Sequence, residues 1–327
     1  MLQRPETLFA VAAVREACEL ARAVQRDLVT PALTKSDRSP VTVADFAAQA
    51  IVAQRLERER PDDVLVGEEE ASDLRAPEQR ATLEQVTRFV ASRVAGASSD
   101  DVCRWIDRGR AEPGQRFWTL DPVDGTKGFL RGEQYAIALA LIEDGRVTVG
   151  VLGCPNLAED GRSDIGGIGA LFAAERGSGA FATPLGRESW RRLKVSDRSD
   201  PKSARLLRSV ESGHTNVDEM AELVGALGAT AEPVLMDSQA KYAVLAAGAG
   251  ELLFRLLSPT KRDYRERIWD QAAGSIVVEE AGGRVTDLDG KPLDFTRGRT
   301  LAANRGIVAS NGLLHDAALA ALRRIGA

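Results

Sequence analysis

Two hydrophobic periods alternate along the chain. In residues 7–28 the apolar positions Leu8, Val11, Ala12, Val14, Ala17, Leu20, Ala21 and Val24 recur at helical spacing, which predicts an amphipathic helix. A polar loop, Lys35-Ser36-Asp37-Arg38-Ser39-Pro40, follows, and a second helix is expected from Thr42 to about Arg60, where Pro61 stops it. Residues 64–66 read as a short buried strand that delivers Gly67-Glu68-Glu69-Glu70. Residues 117–120 read as a strand ending at Asp121. Residues 135–142 and 146–152, split by Glu143-Asp144-Gly145, read as a hairpin, and residues 171–174 and 179–182 as another. Beyond residue 200 short strands (206–210, 232–236, 251–256) alternate with helices. The expected fold class is therefore α/β, with an α+β half over residues 1–200 and an α/β half over residues 201–327. Residues 71–116 read as mostly polar helix and loop, and they and the Gly-rich stretch 161–169 are expected to be surface insertions.

Composition narrows the chemistry. The three cysteines, Cys18, Cys103 and Cys154, are scattered, and no disulfide framework or paired-cysteine metal site is visible. Only two histidines occur, His214 and His315, far apart, which argues against a histidine-built zinc site. A bound metal would have to sit on oxygen ligands, which points to a hard cation such as magnesium. The net charge of −5 comes without a basic cluster interleaved with aromatics, so a nucleic-acid polymer is not the expected partner. No apolar run reaches the length of a membrane span and no secretion signal opens the chain. A soluble, cytoplasmic protein is expected; its oligomeric state is open.

Four acidic stations stand out. Asp45 lies in Ser39-Pro40-Val41-Thr42-Val43-Ala44-Asp45, where Thr42 and Asp45 have the spacing of a capping box, so a helix cap explains it locally. Glu68-Glu69 reads as a solvated acidic run. Asp121-Pro122-Val123-Asp124-Gly125-Thr126 has the composition of a turn. A turn alone does not explain a strand ending at one Asp with a second three residues on, followed by backbone N–H groups at a helix start. Asp270, in Trp269-Asp270-Gln271-Ala272-Ala273-Gly274, reads locally as an N-cap. Taken together, each acid sits at a strand end or a helix start. Carboxylates that converge on one cleft repel unless cations neutralise them. Phosphoryl transfer to water is a reaction that uses such a site, with two metals clamping the attacking and leaving oxygens and no histidine base required.

At these residues the chain resembles the lithium-sensitive, inositol monophosphatase-like superfamily, through Gly67-Glu68-Glu69, Asp121-Pro122-Val123-Asp124-Gly125-Thr126 and Trp269-Asp270 in that order. Within it, Lys127-Gly128-Phe129, Asp237-Ser238-Gln239-Ala240-Lys241-Tyr242 and Tyr264-Arg265-Glu266-Arg267-Ile268-Trp269-Asp270 look most like the 3′(2′),5′-bisphosphate nucleotidase branch. The resemblance implies a layered αβαβα sandwich. It implies two or three Mg2+ ions per site on Glu68, Asp121, the Val123 carbonyl, Asp124 and Asp270. It also implies catalytic roles for Glu68, Asp45 and Thr126, the last two acting on the attacking water, with phosphate held by Gly125 and Thr126. Residues matching His214, Ser238, Lys241 and Arg255 would surround the nucleotide. Locally, Ser238 also reads as the cap of a helix on which Lys241 is solvated. The implied reaction is release of the 3′(2′)-phosphate of adenosine 3′(2′),5′-bisphosphate, with its 5′-phosphosulfate as a further substrate and a role in sulfur metabolism. The alternatives are an inositol-phosphate or sugar-bisphosphate phosphatase of the same fold, and a metal- and nucleotide-binding regulator without turnover.

Overall fold

The computed structural model describes residues 2–28, 39–210, 217–257 and 263–327. Period-2 sequences build two sheets. The first has seven strands in chain order: β1 (Leu65–Gly67), β2 (Arg116–Asp124), β3 (Ala136–Glu143), β4 (Arg146–Cys154), β5 (Ala170–Glu175), β6 (Gly179–Pro184) and β7 (Arg191–Arg192). Only the β1–β2 pair is parallel. The second sheet is formed from β8 (Leu206–Arg208), β9 (Val234–Leu235), β10 (Leu252–Arg255), β11 (Arg284–Thr286) and β12 (Ile307–Ser310), in the order β11-β12-β10-β8-β9.

Both faces of each sheet are covered, and alternation along the strands sorts the side chains. On β3, Ile137, Leu139 and Leu141 pack to one side against α1 (Pro5–Leu28) and α2 (Ser39–Glu59), while Ala136, Ala138 and Ala140 face the other. That second side receives α7 (Ala240–Ala246) and α8 (Ala272–Glu280), which also pack on the second sheet. Leu207, Leu253 and Ile307 face this middle layer, whereas Leu206, Leu252, Phe254 and Val308 face outward. There α6 (Val217–Leu227) and α9 (His315–Ile325) pack together and close the stack. The order is αβαβα. Gly150 on β4 shows how tight the middle is: a Cβ there would overlap Ile276 and lie 2.9 Å from the Ala273 carbonyl oxygen.

Three local readings are corrected. The buried stripe of α1 runs through Phe9, Ala10 and Ala13, leaving Leu8 58% exposed. α2 begins at Ser39, before Thr42, so Asp45 lies beyond the helix's first turn and is not its cap. Residues 71–116 are not a mere surface insertion. They carry α3 (Arg80–Ala91) and α4 (Ser99–Asp107), which pack on α2 and bury Phe89, Trp105 and Ile106 in the first core. A capping box of Ser98 and Asp101 starts α4.

Candidate active site

The site begins with an irregularity in β2. Asp121 pairs with Ala138 and Asp124 with Ala136, so three steps on β2 oppose two on β3. In a regular strand, residues three apart point to opposite faces; one extra residue lets both acids address the same end of the sheet. Pro122 suits such a place because it lacks the N–H a regular ladder would need. β1 runs parallel beside β2, and Glu68 N donates to Leu120 O at 3.2 Å, which brings Glu68 alongside Asp121. Asp45 arrives from α2, which packs on β2. Asp270 arrives just ahead of α8. The N-cap position there belongs to Gln271, which makes no capping bond, so Asp270 is not the cap its local sequence suggests.

After Asp124, Gly125 turns the chain at φ +96° into α5 (Thr126–Arg131). A Cβ at Gly125 would lie 2.8 Å from Ser238 Cβ, so this glycine lets the Asp237-Ser238-Gln239 loop approach. Ser238 itself sits at φ +69°. Gln239 N donates to Asp124 Oδ2 at 2.5 Å. Asp237 accepts from Ser209 Oγ at 2.6 Å and pairs with Arg131 of α5 at 2.5 Å. Lys127-Gly128-Phe129 has a packing reason of its own: Gly128 lies against the Gln134 carbonyl, and Phe129 meets Tyr135 edge-on at 5.0 Å.

A cleft of about 560 Å³ joins these groups. It is lined by Asp45, Glu68, Asp121, Val123, Asp124 and Asp270, and by Gly125 and Thr126. Ser238, Lys241, Arg255, Leu207 and Phe254 line it too, with Ser238 against Gly125 and with Lys241 and Arg255 close enough to act on the charge of Asp124. Asp237 lines it as well, together with Glu69, Lys127, Ser209 and Tyr264, which were not singled out as site residues in the sequence. His214 lies outside the described residues.

The electrostatics follow from crowding. Burial, then Glu68, Asp124, Asp270 and Asp45, push Asp121 well above the usual carboxylate range. Burial, then Glu69 and Glu68, do the same to Asp45. Asp124 is raised by burial but held back by Lys241 and Arg255, and Asp270 is raised by burial but held back by Arg255. Burial and Glu68 raise Glu69 to about 7. Lys241 is 8% exposed, not solvated; burial lowers its pKa to about 8, although Asp124 and Asp237 favour its charge. Arg255 pairs with buried Glu266 at 2.9 Å, which raises its pKa.

Asp121 Oδ1 is buried without a hydrogen-bond partner. An unpartnered buried carboxylate oxygen among other carboxylates is suited to act as a ligand of a hard cation. The donor set, all oxygen, fits such an ion. Among the described residues no three acids already form a ligand cage, in keeping with their mutual repulsion.

A model of the inositol monophosphatase family matches residues 2–327. The chain belongs to that family. Curated relatives agree over nearly the whole length. A 3′(2′),5′-bisphosphate nucleotidase of Emericella nidulans is 40% identical over 98% of both chains. One of Schizosaccharomyces pombe is 43% identical over 93% of this chain and 91% of its own. One of Oryza sativa is 41% identical over 97% and 93%. Among solved structures, Thermotoga maritima IMPase superposes with a TM-score of 0.65 at 22% identity, covering 99% of this chain and 98% of that one. CysQ from Bacteroides thetaiotaomicron gives 0.61 at 20% identity, covering 94% and 97%. These distant structures share the family's layered fold. No helix among the described residues is long and apolar enough to cross a membrane.

Proposed function

We propose that the chain hydrolyses the 3′(2′)-phosphate of adenosine 3′(2′),5′-bisphosphate to AMP and phosphate, with magnesium as cofactor. The observation that supports this reading is a single cleft in which the carboxylates share the space with the cations Lys241 and Arg255, which gives the charge that a second phosphate needs. The curated relatives named above carry the same activity in their names.

Magnesium would be held by Glu68, Asp121, the Val123 carbonyl, Asp124 and Asp270, and when bound supplies charge neutralisation and Lewis-acid polarisation. The chain's own groups do the rest. Asp45 and Thr126 orient the attacking water and receive its proton. The water oxygen bonds to phosphorus as the bond from phosphorus to the ribose oxygen breaks, and the leaving ribose oxygen takes up a proton from a solvent water. Gly125 and Thr126 hold the scissile phosphate at the start of α5. Lys241 and Arg255 answer the distant 5′-phosphate, the first as a point charge and the second as a planar fork. Ser238 contacts ribose or base. The 5′-phosphosulfate analogue fits the same description.

The test is turnover with added magnesium of adenosine 3′,5′-bisphosphate, inositol 1-phosphate and fructose 1,6-bisphosphate in parallel. The nucleotide should lead in kcat/KM, chelation should abolish turnover, magnesium should restore it, and lithium should inhibit. Full activity after exhaustive chelation overturns the metal chemistry. Preference for either sugar phosphate overturns the substrate.

A further inference from the structure

Glu68 and Asp270 reach the cleft on segments about two hundred residues apart in sequence, one leaving β1 and the other entering α8. A single side chain touches the residue immediately before each. Arg299 Nη2 donates to the carbonyl of Gly67 at 2.5 Å, and Nη1 donates to those of Gly109 and Ala111 at 3.2 and 3.1 Å. The guanidinium carbon also lies 5.0 Å from the centroid of the Trp269 ring. Gly67 precedes Glu68, and Trp269 precedes Asp270.

The backbone completes the arrangement. Ile268 N donates to Arg299 O at 3.2 Å and Leu301 N to Glu266 O at 2.9 Å, so residues 299–301 are stitched to the segment that ends in Asp270. The side chain then reaches across to the end of β1. From the opposite side the same loop is held by Gln49, one helical turn after Asp45. Its Oε1 accepts from Glu69 N at 3.0 Å, and its Nε2 donates to Glu69 O at 2.6 Å and Ile106 O at 2.8 Å. Gly67 and Gly109 have no Cβ where Gln49 lies, which permits this fit.

We propose that Arg299 is a positioning residue: by clasping the Gly67 carbonyl and the Trp269 ring it sets the separation of the Glu68 and Asp270 carboxylates. The proposal rests on the metal reading of the site given above. A planar fork suits the task, because it can donate in its plane to three carbonyls while offering its face to an indole. A hard cation needs its oxygen ligands at fixed distances, and ligands already spaced lose less freedom on binding. A lysine at this position keeps the charge but provides neither the fork nor the planar stack.

The experiment is calorimetric titration of Mg2+ into the metal-free full chain, without substrate, for wild type, Arg299→Lys and Arg267→Lys. Arg267 also lies over Trp269, at 5.6 Å, and its charge acts on Glu68; the lysine variant retains that charge. Arg299→Lys should bind Mg2+ about tenfold more weakly. The Mg2+ midpoint for turnover should move with it, while KM for the nucleotide at saturating Mg2+ stays unchanged. Arg267→Lys should bind Mg2+ as wild type does. Wild-type affinity in Arg299→Lys overturns the clasp, whatever happens to its melting temperature. Equal weakening in both variants also overturns it, and assigns the effect to packing on the indole. No Mg2+ binding by wild type overturns the metal reading and the clasp with it. If Arg299→Lys does not fold, Arg299→Gln, which removes the fork's reach to the Gly67 carbonyl, carries the same expectation; undiminished Mg2+ binding there overturns the clasp.

Discussion

Replacing Lys241 by Met separates what the ammonium does for substrate from what it does to the fold. The change preserves most of the stem's volume and removes the charge. Burial lowers the Lys241 pKa from 10.5 to about 8. At about 1.4 kcal/mol per unit, the buried charge costs on the order of 3 kcal/mol relative to the neutral amine at pH 7. Its hydrogen bond from Nζ to Met236 O is long at 3.3 Å and offsets little. The thioether avoids that cost, while Asp124 loses a nearby cation, which takes part of the gain back. The metal-free Lys241→Met chain should therefore melt higher than wild type. Against substrate, a charge-assisted bond to the distant phosphate is worth about 1.5–3 kcal/mol, so KM for adenosine 3′,5′-bisphosphate should rise roughly tenfold or more. A small phosphate monoester, which lacks the second phosphate, should be hydrolysed at a nearly unchanged rate. The assays are steady-state kinetics on both substrates and a melting curve. An equal loss on both substrates, or a lowered melting temperature, would refute the argument: Lys241 would then serve the catalytic centre or the fold.

The other expectations are shorter. Asp121→Asn should lower turnover by orders of magnitude with the fold retained, as circular dichroism would verify, because it removes a charged ligand and relieves repulsion among its neighbours. Asp45→Asn should lower kcat far more than it changes KM; near-normal kcat in that variant would remove Asp45 from the reaction. His315 is fully buried between Thr286 Oγ1 (2.9 Å) and Ser310 Oγ (2.8 Å), and burial lowers its pKa from 6.5 to about 4. Below pH 6.5 the unfolded chain takes up a proton that the folded chain refuses. Up to about 3 kcal/mol of stability should therefore be lost between pH 6.5 and 4 and be present above that window. Urea titrations should show a flatter pH profile over that range for His315→Asn than for wild type.

The strands were legible because alternation on a buried sheet leaves a period: residues 135–142 read as a strand in the sequence, and β3 spans Ala136–Glu143. The acids were legible as a set because each adjoins a strand end or helix start, even though a local role explained Asp45 and Asp270 separately. Those local roles depended on helix boundaries, and the boundaries fell elsewhere, at Ser39 and at Ala272. The packing role of α3 and α4 was missed because their polar faces outnumber the few large residues, Phe89 and Trp105 among them, that do the packing. Gln49 and Arg299 left no trace in the sequence. Each acts on backbone carbonyls and amides, which every residue carries, so no spacing of side-chain types marks their partners. Leu207, Ser209 and Phe254 were hidden for a related reason: they reach the cleft through the order β10-β8-β9, which no local pattern specifies.

The middle helices have a mechanical consequence. α7 and α8 are pressed between two sheets, with Gly150 and Gly274 giving up their side chains so that Ile276 and Tyr242 can come close. Swinging one sheet away from the other about a hinge would expose that layer along its whole length, at about 25 cal/mol for every Å² of apolar surface wetted. The two halves are therefore not jaws. Asp124 on the first sheet and Arg255 on the second should keep their separation when a ligand binds, so that under the function proposed above the packed layer serves as a fixed spacer. Any adjustment to a bound guest falls to side chains and loops at the rim.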